Sequence, residues 1–165
     1  MSIHFKKDDG AGKTLFEWWE KLDERRGDRA ELRRAANLTD IAMQQAFQRL
    51  YARVDPQRQW KPWERDRFAA VAGLLSHLKA ETDQSLPQAM SQRDEESDRN
   101  PVSPLRFRRL LEARDMDTLF TGLRRLLPLI EHKASPMALA NDVFWWGDDV
   151  KKRWAYAYRW PQAND

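Results

Sequence analysis

Cysteine is absent from this 165-residue sequence, and histidine occurs only at His4, His77 and His132. The absence of cysteine excludes disulfide bonds, thiolate metal sites and cysteine nucleophiles. The three histidines do not have the spacing of a metal-binding motif. His77 stands among leucines and is expected to pack within a helix. The sequence therefore predicts no metal site, no cofactor and no catalytic histidine.

Long apolar runs are also missing. No stretch approaches the roughly 20 apolar residues that a transmembrane helix needs. The N-terminal residues MSIHFKKDDGAGK lack the apolar core of a signal peptide. We therefore expect a cytoplasmic protein that has no membrane partner.

Valine and isoleucine are few and scattered, and no segment alternates with the two-residue period of a β-strand. The predicted fold class is all-α, with two small helical bundles joined by a linker. Helix-start signals stand at Asp28 with Glu31, Lys61–Pro62, Ser103–Pro104, Asp117 and Ser135–Pro136. The expected helices are 15–25, 29–36, 40–53, 62–80, 104–113, 118–131, 136–146 and 148–160.

The segment 81–102 reads ETDQSLPQAMSQRDEESDRNPV and has few large apolar side chains but several acids. This composition predicts a linker or a mobile loop. The linker would separate an N-terminal helical bundle at 15–80 from a C-terminal helical bundle at 103–165. Residues 1–14 are expected to form a flexible leader.

Residues 10–14 read GAGKT, which resembles the end of a nucleotide-binding P-loop. The P-loop pattern G-x-x-x-x-G-K-[ST] requires its first glycine at position 7, and that position is Lys7. No strand is predicted before it to aim the loop amides at a phosphate. We therefore expect Thr14 to cap the first helix and no nucleotide to bind there.

Acidic pairs could form a metal-dependent nuclease site, because carboxylates hold catalytic metal ions. Two of the pairs lie in predicted loops. The third, Asp148–Asp149, stands at a helix start, where acids favour the helix dipole. We expect no catalytic residue, no enzymatic activity and no small-molecule substrate.

Arginine is the common cation, with twenty arginines against nine lysines. The guanidinium group binds phosphate in a bidentate manner and stacks on bases, which an ammonium group does less well. A coding bias toward GC-rich codons would also enrich arginine. Composition alone leaves both explanations open.

Helical periodicity sorts these arginines from the apolar side chains. Residues step by about 100° around a helix, so Arg29, Arg33 and Arg34 share one arc and Leu32 lies on the other side. In DTLFTGLRRLLPLI the leucines face one way, while Arg124 and Arg125 lie opposite. In LRFRRLLEA the same step places Arg108 and Arg109 outward.

Two interpretations of these faces remain open. In one, they are solvated helix surfaces with local salt bridges, which suits arginines that have acidic neighbours in Glu24, Glu64 and Asp66: Arg25, Arg26, Arg65 and Arg67. In the other, the pairs Arg33–Arg34, Arg108–Arg109 and Arg124–Arg125, which lack matching acids, line a groove that binds a nucleic-acid backbone.

Tryptophan is abundant, with eight residues. The tryptophans within predicted helices are expected to be mostly core residues: Trp18, Trp19, Trp145, Trp146 and Trp154. Trp60 and Trp63 flank a turn and could instead stack on a base or a partner.

The order of several motifs resembles the CasB family, the small subunit of the type I-E CRISPR Cascade surveillance complex. The motifs are WWEKLDERRGDRAELRRA, AFQRLY, RFAAVAGLLSHLK, RFRRLLEARDMDTLFTGLRRLL and SPMALANDVFWWGDDVKKRWAYAY, across residues 15 to 158. Trp146 and Trp154 look like the packing tryptophans of this family. After WWG the family has a basic group, whereas here Asp148 and Asp149 precede Lys151 and Lys152.

The resemblance implies an all-helical, non-catalytic subunit present in two copies. Its expected partners are the backbone and large subunits of Cascade and the R-loop between the guide RNA and its target DNA. The nucleic-acid-binding residues that arcs and resemblance together predict are Arg29, Arg33, Arg34, Arg106, Arg108, Arg109, Arg124, Arg125, Lys151 and Lys152.

Three functions are thus compared. The leading one is sequence-independent stabilisation of the target and displaced strands through backbone contacts. The alternative is a structural adaptor whose basic faces bind acidic partner proteins without nucleic-acid contact. The third, an ATPase or nuclease, requires GAGKT or an acidic pair to act.

Overall fold

The computed structural model describes residues 3–93 and 96–162. Within these residues the chain forms ten α-helices, one 3₁₀ helix and two short strands. The helices are α1 (Gly10–Lys21), α2 (Arg26–Arg34), α3 (Leu38–Ala42), α4 (Gln45–Val54), α5 (Pro62–Leu75), α6 (Leu86–Met90), α7 (Pro104–Leu111), α8 (Met116–Leu126), the 3₁₀ helix (Leu127–Ile130), α9 (Pro136–Phe144) and α10 (Asp148–Ala157). The all-α fold class is confirmed.

The two strands are β1 (Ala80–Glu81) and β2 (Lys133–Ala134), each two residues long. They pair in parallel, with Ala80 opposite Lys133 and Glu81 opposite Ala134. This bridge connects the segment after α5 to the segment after the 3₁₀ helix. A strand of two residues is too short to show the alternation of apolar and polar residues by which strands are recognised in a sequence.

Helix α5 forms the centre of the core. Its residues 68–75 are all buried, and α3, α8 and α9 pack around it. A helix that is apolar on every side must be surrounded by other elements to remove its surface from water. Buried side chains from both halves of the chain form one cluster around α5. The predicted division into two bundles is therefore not confirmed.

Residues 3–5 pack on α9 and on Trp145 that follows it, contrary to the prediction of a flexible leader at 1–14. Phe5 is buried, and its backbone N–H donates to Asn141 Oδ1 at 2.8 Å. Asn141 Nδ2 donates in return to the Phe5 carbonyl at 2.9 Å. Trp145 Nε1 donates to the Ile3 carbonyl at 2.6 Å. These partners are more than 130 residues away in sequence, so local pattern could not reveal them.

The segment 81–102 also differs from the predicted linker. It contains the second residue of β1 and all of α6, and Met90 and Val102 are buried. The Val102 carbonyl accepts from the Tyr158 hydroxyl at 2.6 Å, and Asn100 Nδ2 donates to the Arg159 carbonyl at 2.8 Å. The segment thus forms long-range hydrogen bonds to the residues that directly follow α10. Residues 94 and 95 of this segment lie outside the described residues.

Three of the five predicted helix starts are confirmed and two are wrong. Helix α5 begins at Pro62, with Lys61 at its N-cap position. Ser103 and Ser135 accept from the backbone N–H groups three residues later, at 3.3 and 3.2 Å. Helix α8 is capped by Asp115 instead of Asp117, whose carboxylate accepts from Leu38 N at 3.0 Å. The predicted box between Asp28 and Glu31 does not form because α2 begins earlier, at Arg26. Asp28 instead pairs with Arg49, and Glu31 accepts from Ala46 N.

The tryptophans are largely core residues, as predicted. Trp18, Trp19, Trp146 and Trp154 are buried, and Trp145 is half-buried. Of the two that could have stacked on a base, Trp60 instead packs edge-on against Phe68 at a centroid distance of 5.2 Å. Trp63 is exposed and lies 5.5 Å from the Arg67 guanidinium.

The GAGKT residues form the start of α1. A turn precedes them, in which the backbones of Lys6 and Asp9 pair as an isolated antiparallel β-bridge. Asp9 occupies the N-cap position, so the prediction that Thr14 caps this helix is wrong. Gly12 is buried against the backbone of Phe5 and Lys6, where a Cβ atom would overlap main-chain atoms. The second glycine of GAGKT therefore serves close packing of the chain on itself.

We expect Gly12→Ala to lower the free energy of unfolding by about 1–3 kcal/mol, since the backbone it would overlap must shift. The matched control is Gly27→Ala in α2, where a Cβ atom meets nothing within 4 Å. That variant is expected to gain up to about 1 kcal/mol from helix propensity. Urea unfolding monitored by circular dichroism measures both, and equal midpoints for the two variants would contradict the packing role of Gly12.

Candidate nucleic-acid interface

Helices α7 and α8 present arginines because their apolar faces are buried as predicted. Phe107 and Leu110 of α7 are buried, as are the leucines of α8 and Ile130 beyond it. The residues opposite these faces must then point outward. Both helices accordingly have exposed arginines: Arg106, Arg108, Arg109 and Arg125. Pro128 ends α8, and the chain continues as the 3₁₀ helix.

An open cleft of about 690 Å³ lies between α7 and α8. Arg106 and Arg109 of α7 line it on one side and Arg125 of α8 on the other. Its remaining lining is small or apolar, with two hydroxyl groups and one carboxylate: Leu110, Ala113, Asp117, Thr118, Thr121, Gly122 and Leu126. Three of the predicted arginines thus converge on one concavity. The sequence predicted the arginines but not the cleft, because the cleft depends on how two helices pack.

The other side of α8 meets α2. Arg124 Nη2 donates to the backbone carbonyl of Arg33 at 2.9 Å, across 91 residues of sequence. Arg33 and Arg124 are both half-buried, whereas the neighbouring Arg34 and Arg125 are exposed. Helix α8 thus contacts α2 through Arg124 and lines the cleft with α7 through Arg125.

Arg29 is less available than the arc on α2 suggested. Its side chain is only 17% exposed, and its Nη1 forms an ion pair with Asp23 Oδ1 at 2.9 Å. The Arg29 Nε atom is buried without a hydrogen-bond partner among the described residues. An arginine already bound to a carboxylate neutralises a phosphate less effectively. We therefore place Arg34 ahead of Arg29 as a contact residue of α2.

The ion pairs of the structure do not by themselves distinguish the two interpretations of the arginine faces. Within residues 3–93 and 96–162, no ion pair involves Arg33, Arg34, Arg106, Arg108, Arg109, Arg124 or Arg125. The same range shows no ion pair for the four arginines assigned to local salt bridges: Arg25, Arg26, Arg65 and Arg67. The predicted local salt bridges of these four arginines therefore do not form, and Arg67 instead donates to the carbonyls of Phe144 and Trp146 at 2.8 and 3.0 Å.

The basic residues of α10 stand apart from this arrangement. Lys151 is half-buried, and its ammonium group lies 5.9 Å from the centre of the Trp146 ring. Lys152 is exposed, and Asp148 and Asp149 occupy the first turn of the helix. No described contact brings either lysine to the arginines of α2, α7 or α8. The role of Lys151 and Lys152 stays a prediction.

A buried histidine, His77, lies within the field of Arg33 and Arg124. Burial, followed by the positive charges of Arg124 and Arg33, lowers the pKa of His77 to about 4. His77 Nε2 is buried without a hydrogen-bond partner among the described residues, and the His77 carbonyl lies 2.8 Å from His132 Nδ1. Burial also lowers the pKa of His132. In the part of the chain that the structure describes, no cluster of three or more ligating side chains forms a metal site.

The lowered pKa of His77 predicts a loss of stability in acid. An unfolded histidine, with a pKa near 6.5, binds a proton that folded His77 rejects until about pH 4. The contribution of neutral His77 to the free energy of unfolding is therefore complete above pH 6.5 and is lost as the pH falls toward 4. We expect the melting temperature of the wild type to fall more between pH 7 and 4.5 than that of His77→Met. Parallel pH profiles would show that His77 titrates normally.

No helix among the described residues is long and apolar enough to span a membrane.

Comparison with protein families matches residues 28–158 to the model of the CRISPR-associated protein Cse2. The chain belongs to the Cse2 family. The resemblance to CasB inferred from sequence motifs is thereby confirmed. All ten predicted basic residues lie inside the matched segment, whereas GAGKT lies outside it.

Solved structures show the same fold for this Cse2 family member. A chain in the crystal structure of Escherichia coli Cascade bound to a PAM-containing double-stranded DNA target aligns with a TM-score of 0.68 and 21% identity. The alignment covers 92% of this chain and 97% of that one. The crystal structure of CasB from Thermus thermophilus aligns with a TM-score of 0.63 and 25% identity, over 90% and 96% of the two chains. A search of curated proteins found no match.

Proposed function

We propose that this Cse2 family member is a non-catalytic subunit of a type I-E Cascade complex. In that complex it holds the target and displaced DNA strands of the R-loop through their backbones. The family match and the similarity to a chain of DNA-bound Escherichia coli Cascade support this assignment. Its partners are the backbone and large subunits, a second copy of itself, and the R-loop.

The arginine surface carries the proposal. We define it by the arginines of α2, α7 and α8 that the sequence predicts as nucleic-acid contacts and that lack an ion pair among the described residues: Arg33, Arg34, Arg106, Arg108, Arg109, Arg124 and Arg125. Guanidinium groups that no carboxylate neutralises are free to bind phosphate oxygens in a bidentate manner. Seven such groups on three connected helices favour a polyanionic ligand.

Backbone binding without base readout suits this role. In guided recognition, base pairing with the RNA reads the sequence, so a protein subunit only has to hold the strands. Phosphate contacts supply affinity that is independent of sequence. The net charge of only +3 leaves acidic surface for neighbouring subunits. The arrangement therefore fits a subunit that holds nucleic acid inside a larger assembly.

Fluorescence anisotropy of labelled single-stranded DNA across a salt series tests the proposal. We expect binding of unrelated sequences with equal affinity, and an affinity that falls steeply with salt because each phosphate contact releases a counterion. Binding that is insensitive to salt, or selective for one sequence, would contradict a backbone-binding surface.

The structural-adaptor alternative rests on a different observation. Several large apolar side chains are exposed, as expected of surfaces that partner proteins cover: Met43, Leu105, Tyr156 and Trp160. If the arginine surface likewise binds only proteins, the chain binds no DNA even at low salt. Variants in which arginines of this surface are replaced by glutamate then fail to assemble with the other subunits. Reconstituted Cascade that contains those variants distinguishes the two functions, because DNA retention and subunit assembly are measured separately.

Absence of catalysis is tested directly. The protein is incubated with Mg²⁺, ATP and labelled DNA, and both released phosphate and DNA cleavage are measured. We expect no turnover above the buffer. A rate that Lys13→Ala abolishes would revive the phosphate-loop interpretation of GAGKT, and one that Asp148→Asn abolishes would indicate a nuclease.

A further inference from the structure

The cleft between α7 and α8 has two chemically different parts. Its rim carries the guanidinium groups of Arg106, Arg109 and Arg125. Its floor is apolar or small, formed by Leu110, Ala113, Gly122 and Leu126. A surface that binds only phosphates needs no such floor, because phosphates remain hydrated at the surface. The cationic rim and the apolar floor together favour a ligand that has both an anionic group and a flat apolar group.

The dimensions and polar groups of the cleft narrow the choice. A volume of about 690 Å³ lies within the range of small-ligand sites, roughly 300–1,000 Å³. Thr118 and Thr121 also line the cleft, and their hydroxyl groups can exchange hydrogen bonds with the edge of a base. The single carboxylate, Asp117, accepts a hydrogen bond from Leu38 N. The three guanidinium groups outnumber it, so the cleft carries a net positive charge.

We propose that this cleft receives one unpaired nucleobase of a bound single strand, with the flanking phosphates on Arg106, Arg109 and Arg125. The inference rests on the proposed function and adds a base-binding pocket to the arginine surface. Guanidinium planes stack on bases, and the aliphatic floor covers the remaining base face. Any base fits such a pocket because every base has an apolar face, so binding remains independent of sequence.

Gly122 keeps the floor open. A Cβ atom there would lie 2.9 Å from Leu110 Cδ1, so a side chain at this position must displace Leu110 or enter the cleft. An acidic peptide could also satisfy the arginines, but it would leave the apolar floor uncovered. The nucleotide therefore explains more of the cleft than a carboxylate ligand does.

The test compares two strands of equal length and charge by fluorescence anisotropy with the full chain. One is an oligothymidylate, and the other is an abasic strand that keeps the phosphates. We expect the wild type to bind the oligothymidylate at least about fivefold more tightly, since stacking of one base contributes this much or more. Gly122→Leu is expected to reduce the ratio of the two affinities, oligothymidylate over abasic strand, to within about twofold.

Thr121→Leu is a second variant, because it also narrows the cleft without changing charge, and circular dichroism confirms that each variant is folded. Equal binding of both strands by the wild type would overturn the base pocket and leave the backbone proposal intact. No binding of either strand would contradict the backbone proposal itself. Displacement of the oligothymidylate from the wild type by hexaglutamate, but not from Gly122→Leu, would assign the cleft to an acidic peptide.

Discussion

The double variant Arg34→Glu/Arg125→Glu is expected to bind single-stranded DNA at least about tenfold more weakly than the wild type at low salt. Both side chains are exposed, and neither forms an ion pair among the described residues. Reversal removes two cations that would neutralise phosphates and adds repulsion of the backbone. The slope of log affinity against log salt should become shallower by about 1.4, since each phosphate of a single strand that is no longer neutralised lowers it by about 0.7. Fluorescence anisotropy across a salt series measures both quantities.

The matched control is Arg53→Glu/Arg65→Glu, which changes the net charge equally. Arg53 on α4 and Arg65 on α5 are also exposed, but they do not belong to the arginine surface. We expect the control to retain most of the affinity, because the DNA binds elsewhere on the molecule. An equal decrease in affinity in both double variants would mean that net charge, and not a located surface, determines DNA binding.

Arg33 and Arg124 are unsuitable for this test, although periodicity placed them with Arg34 and Arg125. Arg124 donates to the Arg33 carbonyl, so its reversal would also disturb the junction of α2 and α8. Both side chains also contribute to the charge that His77 senses. Weaker DNA binding by their variants would therefore combine weaker phosphate neutralisation with a disturbed fold.

Trp154→Ala is expected to lower the free energy of unfolding by about 3–5 kcal/mol, the usual cost of truncating a buried tryptophan. Trp154 is fully buried and packs edge-on against Trp146 at a centroid distance of 5.0 Å. Its Nε1 donates to Asp142 Oδ2 at 2.8 Å, and Arg153 donates to the other carboxylate oxygen at 2.7 Å. The truncation creates a cavity and leaves the buried Asp142 with fewer partners. Urea unfolding measures the change.

Tyr156→Ala is the matched control on the same helix. Tyr156 is 91% exposed, so its removal should change stability by less than about 0.5 kcal/mol. Trp154→Phe separates the two parts of the effect, because it keeps much of the ring but removes the hydrogen bond to Asp142. We expect it to cost about 1–3 kcal/mol. An unchanged unfolding midpoint in Trp154→Ala would show that α10 does not depend on this anchor.

The sequence determined the helical class and the outward face of each long amphipathic helix. The leucines of α8 are buried and Arg125 is exposed because a 3.6-residue period leaves only one apolar face to pack. The serine caps of α7 and α9 followed from local chemistry in the same way. These features depend on residues within one or two turns of each other, so one sequence is enough to predict them.

Only the tertiary structure decided which of these faces meet. The packing of residues 3–5 on α9, the use of segment 81–102 in the core, and the Arg33–Arg124 junction all join residues at least 50 apart. The cleft that gathers Arg106, Arg109 and Arg125 likewise exists only because α7 packs against α8. Such contacts depend on the positions of whole helices, and hydrophobic periodicity shows which face is buried without showing what covers it.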